Sequence, residues 1–255
     1  SREMGIPAIV GTREATNKLK DRQQITVDAY NGIVYEGKID LDVSSNLSQR
    51  QIESSTAVAT AVPSSTIKTK TKVKVNLAFS QRLQEIANKA DGVGLLRLEH
   101  MVAQSGIHPA RLIKAGENDE YVKILMNGIR PIAKAFDSKP IWVRTLDARS
   151  DEFRNLNGGE DEPQEANPML GWHGIRRSLD EPGLLKAEFE AIARLYQEGY
   201  KNLEIMLPFV ISTDEVRRAK VIANEMGLQD KMKIGIMVET PASVMIIEEL
   251  CKEVT

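Results

Sequence analysis

Apolar positions change their spacing along this chain, and the changes mark out its elements. From residue 73 onward, short and nearly continuous apolar runs alternate with longer amphipathic stretches. The runs at 73–79, 92–98, 141–146, 203–211 and 233–238 predict strands buried on both faces, because a half-exposed strand would alternate apolar with polar. A further strand is expected around 169–176. Between the runs the spacing becomes helical. Leu185, Phe189, Ile192 and Tyr196 fall on one face. Ser212 followed by Glu215 reads as a capping box opening a helix that stops at Gly227, and Thr240-Pro241 reads as an N-cap with proline at the first helical position.

Strand and helix in alternation with short connections argue for a parallel α/β sheet, either open and doubly wound or a (β/α)8 barrel. Six strands are expected, so a closed eight-stranded barrel would need two more. The first 40 residues differ. They hold short β-rich pieces at 6–10, 24–27 and 33–35 separated by Gly11, Asn31-Gly32 and Gly37, and residues 1–5 read as the last turn of a helix. Residues 43–72 contain 12 Ser or Thr, one acid and few large apolar side chains, the signature of a linker or surface arm. The expected organisation is 1–40, a connecting segment 41–72, and a barrel domain 73–255.

Charge and composition narrow the chemistry. Among the 255 residues, 34 basic and 36 acidic side chains leave a net charge of −2, which gives no reason to expect nucleic acid or a membrane surface as partner. The most apolar stretch, 203–211, is too short to span a bilayer, no signal-peptide pattern opens the sequence, and a cytoplasmic protein is expected. The single cysteine, Cys251, cannot form an intramolecular disulfide. Its i+4 spacing from Ile247 suggests a buried apolar role, while His100, His108, Trp142 and Trp172 read as packing or loop residues.

In a parallel barrel, reacting groups come from the C-terminal ends of strands. Those positions hold Arg97, Arg144 and Glu239. Arginine forks bind phosphate or carboxylate in bidentate fashion, and a rim carboxylate can ligate Mg²⁺. On spacing alone, charges that merely solvate the rim explain the pattern equally well.

The local sequences go further. Gly92–Met101, Trp142–Asp147, Asn155-Leu156-Asn157-Gly158-Gly159-Glu160, Asn167-Pro168-Met169-Leu170-Gly171, Glu204–Val210 and Gly235–Pro241 resemble the C-terminal barrel of the phosphoenolpyruvate-utilising enzymes, and Gly5–Thr12 resembles the stretch after that family's phosphohistidine helix. Within the family, Gly106-Ile107-His108-Pro109 and the Asn155–Glu160 stretch are most similar to the synthases that make phosphoenolpyruvate from ATP, pyruvate and water. The pyruvate phosphate dikinases and the enzyme I-type protein phosphotransferases stand as alternatives, and an oligomerisation module as a non-enzymatic one.

The resemblance implies that residues 1–40 belong to a phosphohistidine domain and 73–255 to a barrel with an incomplete C-terminal side. Arg97 and Arg144 would hold phosphoenolpyruvate, and Glu239 would ligate Mg²⁺ and touch the substrate. Where relatives have Gly-x-Arg-Gly, this chain has Gly171-Trp172-His173-Gly174, so either His173 replaces the arginine or Arg176 supplies the charge. The phosphohistidine, the second metal carboxylate and the proton-donating cysteine are expected outside this chain, which alone is expected to be inert. Pyruvate or phosphoenolpyruvate, ATP in the intact protein, and further copies of the same chain are the partners implied.

Overall fold

The structure is a computed structural model that describes residues 7–29, 31–39, 69–78, 83–228 and 231–255. It divides into two compact units, residues 1–70 and 71–255. The described part of the first unit is built on an antiparallel hairpin, β1 (Ile25–Asp28) with β2 (Ile33–Glu36), after a single turn of helix α1 (Ala15–Lys18). Asp28 closes the turn by accepting the Asn31 backbone N–H at 3.0 Å, and Gly32 takes the positive φ of 72° that the reversal needs. Residues 7–10 form no strand, contrary to expectation. Val10 is 93% exposed, so nothing rewards ordering it, and Pro7 lacks an N–H for a ladder. The expected helical turn at 1–5 and residues 43–68 of the expected arm lie outside the described residues.

The second unit is a five-stranded, wholly parallel sheet in the order β3 (Val75–Leu77), β4 (Val93–Arg97), β5 (Ile141–Arg144), β6 (Leu203–Leu207), β7 (Ile234–Ile236). Each strand pairs with the next one in sequence, which is the winding of a barrel wall rather than of a doubly wound sheet. The expected (β/α)8 class thus holds as a five-stranded stretch of barrel wall among the described residues. The register places Val93 beside Ile141 beside Leu203, and Leu96 beside Val143 beside Ile205. These side chains are buried against two long helices, α5 (Asn118–Phe136) and α7 (Pro182–Gln197). As anticipated, Leu185, Phe189 and Ile192 lie in that layer. Pro208 ends β6 four residues before the apolar run itself ends, because proline cannot donate to the ladder.

The remaining helices are α2 (Leu83–Lys89), α3 (Glu99–Ser105), α4 (Pro109–Lys114), α6 (Gly174–Asp180), α8 (Thr213–Glu225), α9 (Pro241–Met245) and α10 (Ile247–Glu253). Both capping expectations hold. Ser212 accepts the Glu215 N–H while Glu215 accepts the Ser212 N–H, and Thr240 accepts from Ser243. No described helix is long and apolar enough to cross a membrane.

Two expectations fail for local reasons. The segment 169–176 is not a strand but a 3₁₀ turn, Pro168–Leu170, running into α6. Pro168 offers no N–H, Gly174 takes a φ of 60° that a strand does not use, and Met169 and Leu170 are exposed rather than buried. Cys251 is exposed, not buried. The helix breaks at Ile246, so buried Leu250 and, four residues before it, half-buried Ile246 face the core, while Ile247 and Cys251 face outward.

Candidate functional site

The C-terminal ends of β4 and β5 bring the two predicted arginines side by side, because Arg97 is the register partner of Arg144. Their environments differ. Arg97 is exposed and has no hydrogen-bond or ion-pair partner among the described residues. Arg144 is 8% exposed and held by two carboxylates. Its Nη2 lies 3.1 Å from Glu99 Oε1, and its Nη1 lies 2.9 Å from Asp147 Oδ2. Its Nε is buried without a protein partner.

Glu99 opens α3, the first residue after the β4 turn, and its Oε1 also accepts the Asp147 backbone N–H at 2.7 Å. One carboxylate therefore aligns both the guanidinium and the chain that follows β5. Asp147 passes the connection on: its Oδ1 sits 2.7 Å from His173 Nδ1. His173 is buried, and its Nε2 lies 3.0 Å from the Met169 carbonyl. The bond to Asp147 raises the His173 pKa, more than burial lowers it, with the Met169 carbonyl adding in the same direction. The physical cause is that each ring nitrogen faces an acceptor, and only the protonated ring has an N–H to donate to both. His173 thus lies in the network but points at protein acceptors.

Gly174 follows with a positive φ. A side chain there would come within 2.8 Å of Phe209 Cβ and 3.1 Å of Asp147 Oδ1, so glycine is what lets α6 approach the rim so closely. Phe209 itself has a φ of 58°, a strained value for a bulky residue, on the turn after β6. Its ring packs on His173 with centroids 4.3 Å apart, and its backbone N–H donates to Glu239 Oε1 at 2.8 Å. Strain of this kind persists where surrounding contacts over-determine the backbone. Glu239 is exposed at the end of the turn after β7, and its second oxygen is uncommitted among the described residues. Arg176 donates from Nη1 to the Leu170 and Gly171 carbonyls, at 3.2 and 2.6 Å, and so braces the 168–171 turn.

The rim is therefore one connected line from Glu99 through Arg144, Asp147, His173 and Phe209 to Glu239, with the Arg97 side chain beside it and without a partner among the described residues. A separate buried cluster lies off this line. His108 caps α4 by accepting the Ala110 N–H, its Nε2 is 2.7 Å from Glu162 Oε1, and Arg177 shares that oxygen. Its ties run between α4, α6 and the segment leaving β5, so His108 is structural, as expected, but buried rather than in a free loop.

Comparison with known proteins gives this geometry its context. Residues 53–255 match the family model described as PEP-utilising enzyme, PEP-binding domain, and residues 1–32 match PEP-utilising enzyme, mobile domain. The chain belongs to the PEP-utilising enzymes. Among curated relatives it is 49% identical to a probable phosphoenolpyruvate synthase of Pyrococcus horikoshii, over 99% of this chain and 31% of that protein. It is 47% identical to the phosphoenolpyruvate synthase of Pyrococcus furiosus, over 99% of this chain and 31% of that protein. A probable phosphoenolpyruvate synthase of Methanothermobacter thermautotrophicus is 47% identical, over 99% of this chain and 36% of that protein. The chain spans about a third of the length of these relatives.

In this PEP-binding domain the donor set for a metal is sparse. Among the described residues no group of three or more His, Cys, Asp or Glu could hold a metal ion. Glu239 fits a hard divalent cation as one carboxylate with a free oxygen, and such a cation would have to complete its shell with water and substrate oxygens. Sequence reasoning missed Glu99, Asp147 and Phe209. Two of them stand within three residues of a named arginine, at Arg97-Leu98-Glu99 and Arg144-Thr145-Leu146-Asp147. A search for acids flanking each strand-end arginine would have found them.

Proposed function

We propose that this chain carries the phosphoenolpyruvate and pyruvate site of a phosphoenolpyruvate synthase, the enzyme that converts ATP, pyruvate and water to phosphoenolpyruvate, AMP and phosphate through a phosphohistidine. The observation that carries this reading is the pair Arg97 and Arg144 on neighbouring strand ends, one unpartnered and exposed, the other aligned by two carboxylates. The names of the relatives support it.

Each residue then has a distinct task. Arg97 is the free cation that meets the incoming anion, since a fork without an internal partner gives up nothing to bind phosphate or carboxylate. Arg144 is fixed in place beforehand, so its charge needs little reorganisation when a phosphoryl group is transferred. Glu239 would hold Mg²⁺ through its uncommitted oxygen, and the ion, when bound, would supply positive charge to neutralise the transferred group. His173 acts through Asp147 on Arg144, and Arg176 holds the 168–171 turn. The phosphohistidine and the group that protonates the enolate belong to other parts of the enzyme. Residues 1–40 are the end of the phosphohistidine domain, 41–72 the connection, and 73–255 the barrel. The enzyme is a cytoplasmic homo-oligomer that draws on ATP elsewhere in the protein.

The test uses the full-length protein with ATP, pyruvate and Mg²⁺. Formation of AMP and phosphoenolpyruvate that depends on pyruvate, and its loss in Arg97→Ala, is the expected result. AMP formation that ignores pyruvate would sink the reading.

A further inference from the structure

One fully buried acid takes no part in the site as described so far. Glu188 lies in the middle of α7, with none of its surface exposed, in a layer otherwise made of Leu185, Phe189, Ile192 and their apolar neighbours. Its two oxygens reach different elements. Oε1 lies 3.2 Å from the hydroxyl of Tyr121, itself fully buried on α5. Oε2 accepts the backbone N–H of Leu146 at 3.1 Å. Leu146 is the second residue past β5, where the chain has left the ladder and its N–H has no strand to donate to. The next N–H, of Asp147, goes to Glu99. Two consecutive amides at the mouth of the site are thus each held by a glutamate, one from the helix layer and one from the rim.

Geometry gives this pair of bonds its consequence. Asp147 is the carboxylate that lies against both Arg144 and His173, and its backbone has freedom to rotate only as far as Leu146 permits. We propose that Glu188 is a positioning residue of the phosphoenolpyruvate site, whose buried carboxyl fixes Leu146 and so sets the aim of Asp147 and Arg144. This inference rests on the function proposed above.

The chemistry of the pocket says in which form the group works. Burial raises the Glu188 pKa to about 8, against the bonds from Leu146 and Tyr121 that lower it, and the charge of Glu99 adds to the rise. A neutral carboxyl has one oxygen that accepts and one that donates. Oε2 is committed as an acceptor to Leu146, so the proton of the neutral form sits on Oε1, and the Tyr121 hydroxyl, which donates to the ionised carboxylate, turns to accept it. A glutamine amide reproduces that pattern, with its oxygen toward Leu146 and its NH₂ toward Tyr121. A methionine fills the volume but accepts nothing from Leu146.

The experiment compares Glu188→Gln and Glu188→Met in the full-length protein by two readouts. One is the affinity for phosphoenolpyruvate by calorimetry, and the other is hydrogen exchange of the peptide containing Leu146 and Asp147. The methionine variant should exchange faster at that peptide and bind about tenfold more weakly, because small displacements of a binding group are costly. The glutamine variant should bind as the parent does and exchange no faster than the parent at that peptide. A folded methionine variant with parental exchange and affinity would overturn the proposal, as would a glutamine variant that behaves like methionine. Should the methionine variant fail to fold, Glu188→Asp retracts the acceptor by one methylene. It must then show the fast exchange and weak binding, and parental behaviour would overturn the proposal. If the parent itself does not bind phosphoenolpyruvate, the functional reading falls, and the exchange readout alone still decides whether Glu188 fixes Leu146.

Discussion

The two faces of the parallel sheet are built on different physics. On the face covered by α5 and α7, Val93, Leu96, Ile141, Val143, Leu203, Ile205 and Leu207 are all buried, and their packing needs no particular partner beyond volume and apolarity. On the other face the same strands present Arg97, Trp142, Arg144, Glu204 and Met206. Trp142, expected to be a packing residue, is 38% exposed there. Its Nε1 donates to Glu204 at 2.6 Å and the Lys74 ammonium sits 3.4 Å from its ring centre. One face carries stability; the other carries charge at defined positions, held by side-chain bonds reaching from strand to strand and rim to rim. Substitutions of the apolar side chains on the first, Glu188 being the polar exception, should move stability and leave binding intact, whereas substitutions on the second should move binding more than stability.

The largest expected effect on stability is at the helix-covered face. Phe189→Ala should cost about 3–5 kcal/mol, seen as faster hydrogen exchange of α7, while the folded protein binds phosphoenolpyruvate as the parent does. A loss of affinity without a loss of protection would erase the distinction between the faces.

Next comes the acid buried in that layer. Because Glu188 keeps a proton in the folded protein up to about pH 8 and an exposed carboxyl releases it near 4.5, the native state binds the extra proton between those values. Its contribution is fully present below pH 4.5 and is lost as pH rises through about 8. Tyr121 from α5 and Glu99 from α3 are the titratable groups that act on it, and neither offers a compensating positive charge. Glu188→Gln should therefore gain stability over the parent by about 1 kcal/mol per pH unit across this window and by a constant amount above it. Denaturant unfolding of the two proteins at several pH values checks this, and parallel pH profiles would contradict it.

The rim gives smaller changes in stability. Arg144→Ala leaves the Glu99 and Asp147 carboxylates without their shared cation and should cost about 1–3 kcal/mol locally, measured by exchange around Leu146. Arg97→Ala removes a side chain with no partner among the described residues and should stay within about 0.5 kcal/mol of the parent. A large destabilisation in Arg97→Ala would mean that the arginine is structural.

The same division explains what could be read from the sequence. The helix-covered face was legible because burial on both sides of a strand and one side of a helix leaves a periodic trace: β4 to β7, the Leu185–Phe189–Ile192 stripe (its expected fourth member, Tyr196, being only half-buried), the Ser212 capping box and the Thr240 N-cap follow from spacing and short motifs. Spacing misled where local backbone chemistry overrode it. The 169–176 stretch is apolar enough for a strand, but Pro168 and Gly174 turn it into a 3₁₀ turn and a helix start. At Cys251 a helix break at Ile246 rotated the stripe by one position. Within the site, the strand-end positions of Arg97, Arg144 and Glu239 could be located from the pattern of strands. What ties them together could not, because Asp147 to His173 and Phe209 to Glu239 are contacts between residues 26 and 30 positions apart. Arg176, a candidate for the missing charge, donates to two backbone carbonyls through Nη1 alone.

The most direct test of the account is a calorimetric titration of phosphoenolpyruvate, with Mg²⁺ present, into the full-length protein and its Arg97→Ala and Arg144→Ala variants. The account predicts binding to the parent and a loss of about a hundredfold in each variant, close to 3 kcal/mol for a charged contact removed, with Arg97→Ala as stable as the parent. Equal affinity in all three proteins would contradict it, and would leave the two arginines as charges that only solvate the rim.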